Sequence, residues 1–255
     1  MSILYQYREL LRNLVAKDLK RKYRDSVLGF VWSLINPLCM IAVYNFAFKK
    51  VLNVPTPNYV LYLVVGILHW NLFAMTTLAS TGCVRGSGGL IKKVAFPLEI
   101  VPLATVFFSV AQYLLAILVF AVVLVLGFDM RLNSSIIAFF PVLALQVAFI
   151  IGLSMLVSTA AVFYQDIVHF TELAFMLLFW VTPIVYEFKN IPKALQPFVL
   201  ANPFTPFILA YQDIFVYARF PSVWMMSYIA FAAFATLTLG GAVFTRYKWC
   251  FAEEV

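Results

Sequence analysis

Charge is what this chain has least of. Only 11% of its 255 residues are Asp, Glu, Lys or Arg, against 64% hydrophobic residues, where an ordinary soluble domain is about 25% charged. A soluble fold of this length needs a polar face on most of its elements, and composition excludes it. Histidine is almost missing too, with His69 and His169 the only two. Because the carboxylates nowhere cluster either, the sequence offers no constellation for metal-dependent attack on a lipid phosphate, and it reads as a non-enzyme. Cys39, Cys83 and Cys250 are too few and too scattered for a disulfide framework or a metal-ligand spacing, and read as structural. The first 29 residues contain no short apolar region ending in a small-residue cleavage site. The first hydrophobic segment is therefore expected to stay as a permanent span. The glycine-rich stretch Gly86-Ser87-Gly88-Gly89 has no Lys-Ser/Thr after it and no strand before it, so it is not a phosphate-binding loop. No nucleotide or metal site is expected in this chain.

What is present is long apolar runs. About 20 apolar residues in a helix cross about 30 Å of hydrocarbon, and the sequence predicts an all-α integral membrane protein with spans at 30–48, 59–79, 100–126, 136–163, 167–186 and 223–245. Asn36-Pro37 should kink the first. Asp166, His169 and Glu172 crowd the entrance of the fifth. Lysine and arginine are distributed unevenly. Twelve of the 18 fall in the N-terminal segment, the 80–99 loop and the 246–255 tail; Lys49, Lys50, Arg131, Lys189, Lys193 and Arg219 fall on the other side. That bias predicts six spans with both termini in the cytoplasm.

Two segments stand apart. In residues 1–29, Ile3, Leu4, Tyr7, Leu10, Leu11, Leu14 and Val15 share one helix face, with Glu9, Arg12 and Asn13 opposite. Downstream the segment turns basic. The pattern suits a helix lying in the membrane interface with its cations on anionic headgroups; a soluble amphipathic helix on a partner is the alternative. Residues 190–218 lie in a proline-rich stretch with apolar runs too short to span, which suits two short re-entrant helices or, alternatively, an external loop.

Few polar groups sit inside the spans. His69, beside Asn71, reads either as a proton relay or as a neutral ring hydrogen-bonded to a neighbouring helix. Asp166 and His169 share a helix face without further ligands nearby, which favours an interface loop over a metal or acid–base pair. Among 26 Phe, 13 Tyr and 5 Trp, most serve interfacial belts. Tyr44, Phe46, Phe48, Tyr59, Tyr62, Phe73, Phe163 and Tyr164 are candidates for a sugar-facing lining, since aromatic faces suit the C–H face of a pyranose.

The run from Lys17 through Lys20-Arg21-Lys22-Tyr23-Arg24 to Leu28-Gly29-Phe30-Val31-Trp32, then Asn36-Pro37-Leu38, resembles the opening of polysaccharide-export ABC permeases. Leu90-Ile91-Lys92-Lys93-Val94-Ala95-Phe96-Pro97, and Thr182-Pro183-Ile184-Val185-Tyr186 with Ile191-Pro192 and Asn202-Pro203, are similar to further stretches of that family in the same order. Two positions depart from it: Leu98 replaces an arginine that often follows Phe-Pro, and Gly89 replaces the asparagine usual before Leu-Ile-Lys.

The resemblance implies an ABC-2 type permease that exports O-antigen, capsule or teichoic-acid chains on a lipid pyrophosphate from the bacterial inner membrane. It implies a homodimer with two copies of an ATPase subunit that holds ATP and Mg, and no nucleic acid. The coupling loop 82–97 would dock on the ATPase through Gly82, Arg85, Leu90, Ile91, Lys92, Lys93, Phe96 and Pro97. Gln165, Asp166 and His169 would form a smaller contact. Arg8, Arg12, Lys17, Lys20, Arg21, Lys22 and Arg24 would meet the lipid pyrophosphate at an entry portal. An ABC-2 permease for a drug or small lipid is the runner-up; a membrane enzyme of lipid-linked sugar metabolism and a proton-coupled carrier are further alternatives.

Overall fold

The computed structural model describes residues 6–23, 31–51, 53, 58–128 and 133–255, with backbone alone at 21–23, 33 and 123–128. The secondary structure of the described residues is helical throughout. α1 (Arg8–Tyr23) precedes α2 (Val31–Tyr44), which carries Pro37 in its interior and widens into a π-helical stretch over Asn45–Val51. α3 (Tyr59–Thr81) starts behind Asn58, which takes the left-handed conformation (φ 48°) that asparagine tolerates. Two short helices follow, α4 (Cys83–Gly86) and α5 (Gly88–Ile91), then the long α6 (Ile100–Phe128) and α7 (Phe139–Phe163).

α8 (Ile167–Val181) stops five residues before the end predicted for the fifth span. Pro183 is the cause, because a residue before proline is driven out of the helical region, and Thr182 is extended at φ −78°, ψ 135°. At 1.5 Å per residue α8 is roughly 22 Å long, short of the hydrocarbon thickness. α9 (Gln196–Ala201) and α10 (Thr205–Phe215) each carry proline in the first turn, where the missing N–H costs nothing. α11 (Val223–Tyr247) is capped by the Ser222 hydroxyl, which accepts from Met225 N, and α12 (Phe251–Glu254) closes the described chain. Four helical stretches among the described residues are long and apolar enough to cross a membrane: Tyr59–Thr81, Ile100–Val122, Ser134–Phe163 and Val223–Glu254.

α3 is the hub. Its apolar window is 83% buried, against 22% for α6, and it packs on α2, α6, α7, α8 and α10. The main core gathers Tyr62, Leu63, Ile67 and Phe73 of α3 with Phe149 and Ile150 of α7 and Phe204, Phe207 and Tyr211 at α10. α7 and α11 pair most intimately. A methyl group added to Gly152 would overlap the backbone of Thr236, and one added to Gly240 would overlap the carbonyl of Gly152. Small residues at such a crossing let two helices approach where lipid supplies no hydrophobic drive for association.

Two ends of the helix array follow from the contacts. At one, Tyr59 donates to Val185 O at 2.7 Å, Ser135 Oγ to Ile214 O at 3.2 Å and Asn133 Nδ2 to Ala218 O at 2.6 Å. At the other, Arg85 meets Val162, Lys248 meets Glu99 and Gly88 meets Val255.

Candidate functional site

The second end collects the segments expected to carry coupling. α4 and α5 turn through Gly82 to Ile91, and a hydrophobic cluster separate from the main core sits under them: Val84, Val101, Leu103, Met155, Val162, Phe244 and Phe251, with Leu11, Ile91, Phe96 and Val255 packed on its edge. Arg85 is half-buried, and its Nη2 donates to the Val162 carbonyl at 2.7 Å, at the last turn of α7. Ile91, Phe96 and Pro97 are half-buried, whereas Gly82, Lys92 and Lys93 are exposed. Leu90 is half-buried. The loop therefore presents Lys92 and Lys93 outward, with Val94 exposed beside them, while Arg85, Ile91 and Phe96 turn toward the helix ends. Gln165 and Asp166 are exposed in the turn from α7 to α8, and His169 is exposed in the first turn of α8. His169 faces Glu172 at 3.5 Å, one turn on in the same helix. No group of three or more metal-ligating side chains exists among the described residues.

α1 lies beside this loop. Leu10, Leu11, Leu14, Val15 and Leu19 are half-buried, while Arg8, Arg12, Lys17 and Lys20 are exposed. A cleft of about 490 Å³ separates α1 from the loop, lined by Leu14, Lys17, Asp18, Gly82, Ser87 and Thr105, among others. The side chains of Arg21 and Lys22, and Arg24 altogether, lie outside the described residues, as do Ile3 and Leu4. Cys83, at the same cleft, has its thiol pushed up to about 12 by burial, offset in part by a hydrogen bond with Thr105.

The aromatic candidates separate into three groups. Tyr44 stacks on Phe179 with centroids 5.8 Å apart and meets Phe48 and Trp180 edge-on, while Phe46 is 65% exposed. Tyr59, Tyr62 and Phe73 are buried inside the chain's own core. Their faces are spent on neighbours: Phe73 stacks on Phe204 at 4.0 Å, and Tyr59 on Tyr62 at 6.2 Å. Phe163 packs near Tyr247 and Phe251 at the end that carries α4 and α5, with Tyr164 exposed beside it.

A buried polar network, invisible to helical periodicity, ties the opposite end together. The Tyr62 hydroxyl lies 2.9 Å from Pro183 O and 2.6 Å from Tyr186 O; Gln212 Nε2 donates to Pro183 O at 2.7 Å, and Asn202 Nδ2 to Thr182 Oγ1 at 2.8 Å. Deeper, His69 has both nitrogens engaged: Nδ1 lies 2.6 Å from Val65 O and therefore donates to it, so Nε2 of the neutral ring accepts from Tyr113 OH at 2.8 Å. Tyr211 stacks on His69 at 3.4 Å and donates to Gln146 Oε1, whose Nε2 donates to His69 O. This is a satisfied core histidine linking α3, α6, α7 and α10. The signal that could have found it was the presence of Gln146, Tyr113 and Tyr211 at membrane depth, since polar groups there need partners.

Comparison with known proteins agrees with this architecture. The family model of the ABC-2 type transporter matches residues 9–216. The chain is 33% identical over 259 residues to an O-antigen export system permease protein RfbA of Klebsiella pneumoniae, covering 99% of each. A second RfbA of that organism is 34% identical over 247 residues, covering 96% of this chain and 94% of the relative. An RfbA of Myxococcus xanthus is 28% identical over 254 residues, 99% of this chain and 97% of the relative. A multi-pass helical chain with no nucleotide motif, matched over most of its length by these permeases, belongs to the membrane-subunit family of ABC-2 type transporters: it is a transport subunit, not an enzyme, and its ATP and Mg reside in a partner ATPase.

Proposed function

We propose that this chain is the channel-forming permease of an ATP-driven exporter that moves a lipid-linked polysaccharide of the O-antigen kind across the bacterial inner membrane. The observation that carries the reading is the similarity, over 99% of both chains, to an O-antigen export permease. Two copies would pair with two ATPase subunits, with both termini in the cytoplasm. The six spans would be α2 with its π-helical extension, α3, α6, α7, α8 with the turn after it, and α11. α9 and α10 would dip back from the outer face. The burial of α10 against α3 and α7, and the hydrogen bonds of Asn202 and Gln212, support that role, because irregular backbone is tolerated at membrane depth only where protein shelters it.

α1 would lie in the inner interface, with Arg8, Arg12, Lys17 and Lys20 toward lipid phosphates and Leu11 and Leu14 toward the protein. The loop 82–97 would dock on the ATPase through exposed Lys92 and Lys93, with Gln165, Asp166 and His169 as a second contact. For the polymer path, the exposed or half-exposed rings of Tyr44, Phe46 and Phe48 are better placed than the buried Tyr59, Tyr62 and Phe73.

ATP binding in the partner would then act through shape, since a ligand can shift this chain only through an interface that differs between two states. Co-purification with the cognate ATPase, then ATP turnover in lipid with and without a lipid-linked polysaccharide, tests the reading. Stable association and turnover that responds to the polysaccharide are expected. Failure to recruit an ATPase, or turnover indifferent to the polysaccharide while a drug or small lipid changes it, defeats it.

A further inference from the structure

The segment 248–255 follows the last long helix and, by its sequence, looks like a plain cytoplasmic tail. In the fold it is built into the coupling end. Phe251 is fully buried, edge-on to Phe244 at 5.2 Å and near Phe163 at 6.3 Å. Lys248 Nζ reaches Glu99 Oε1 at 2.7 Å, and both side chains are mostly buried, at 19% and 15% exposure. Val255 sits on Gly88 so closely that even a methyl group at position 88 would overlap its Cγ1. Three contacts thus bind this segment to α5, to the entrance of α6 and to the end of α7.

The same loop has a second tether, the Arg85–Val162 hydrogen bond. One tether leads to α7 and the other, through 248–255, to α11. Those two helices are locked backbone to backbone at Gly152 and Gly240. Packed elements of this kind move as units rather than deform.

We infer that residues 248–255 are a positioning strut for the coupling loop, passing a displacement of the loop to the α7–α11 pair as one rigid body. Gly88, Phe251 and Lys248 are its contact points. The inference rests on the proposed function, because the loop needs an ATPase to push on it. Gly88 lets the strut sit this close: any side chain there must displace the Val255 Cγ1 methyl from the loop.

The test uses the permease–ATPase complex in lipid, with Gly88→Ala, Phe251→Ala and Lys248→Glu. Each variant is expected to insert and to hold the ATPase in normal amount, while polysaccharide exported per ATP hydrolysed falls by about five-fold. Restoration separates a positioning role from general damage. Val255→Ala should rescue Gly88→Ala by removing the overlapping methyl, and Glu99→Lys should rescue Lys248→Glu by restoring the pair with reversed sign. Single variants that export normally, or doubles that stay as defective as the singles, overturn the inference while leaving the proposed function intact. Gly88→Ala alters one loop position and keeps the test decisive should Phe251→Ala fail to accumulate. If the unaltered chain binds no ATPase, the proposed function falls, and this inference with it.

Discussion

Gly152 and Gly240 stand backbone to backbone where α7 crosses α11, with no room for a Cβ on either. Larger side chains must force the helices apart, and overpacking of this kind costs about 1–3 kcal/mol. Gly240→Val and Gly152→Val are each expected to lower the unfolding midpoint in detergent or bicelles. Gly241, which has nothing within 4 Å of an added Cβ, should accept alanine without effect. Equal tolerance at positions 240 and 241 would show that the crossing is not tight.

Tyr62 and Tyr59 hold the 183–186 segment to the hub helix. Tyr62→Phe removes the hydroxyl shared by Pro183 O and Tyr186 O; Pro183 O keeps Gln212, while Tyr186 O loses this donor. Leaving a buried acceptor unpaired costs about 1–3 kcal/mol. Thermal unfolding of Tyr62→Phe and Tyr59→Phe in detergent should show that loss, and the double variant should lose more than either. A midpoint unchanged in both singles would remove these bonds from the account.

His69 is sealed in hydrogen bonds to Val65 and Tyr113 beneath Tyr211, so it serves the fold rather than a proton path. Export by the intact complex should persist when the proton gradient is collapsed and ATP is supplied. His69→Ala should lower stability, yet export per folded molecule should remain independent of the gradient. Export that stops with the gradient alone would revive the relay.

Cysteine chemistry offers a probe of the 82–97 end of the helix array. Burial raises Cys83 to about 12, whereas Cys250 is exposed. Only the thiolate is nucleophilic, and an ordinary thiol sits near 8.5. A maleimide at neutral pH should therefore modify Cys250 well before Cys83, read by mass spectrometry of the peptides. Fast labelling of Cys83 would mean that the cleft beside α1 opens more widely than in this structure.

Hydrophobicity and proline account for what the sequence showed by itself. Long uncharged runs demanded a membrane, and the limits of α3, α6 and α7 fall close to where the apolar runs begin and end. Pro192, Pro197, Pro203, Pro206 and Pro221 marked a region without long helices, whereas Pro183, which ends α8, lies inside the fifth span that hydrophobicity predicts. The loop at 82–97 was readable because charge and glycine interrupt apolar sequence there. All of these are local signals.

Tertiary structure alone decided which faces are inside. In a soluble helix the apolar stripe marks the core, but lipid and protein interior are equally apolar, so a membrane helix carries no such stripe. Thus most residues in the apolar stretch of α3 are buried, while those of the more hydrophobic α6 are mostly not, the reverse of what hydrophobicity suggests. For the same reason Tyr59, Tyr62 and Phe73 could be read as lining a channel when they fill the core. Their partners are far away in the chain, as Tyr62 and Pro183 are at a separation of 121 residues. The packing of 248–255 on Gly88 was equally out of reach, because eight residues without periodicity say nothing of the surface they will meet.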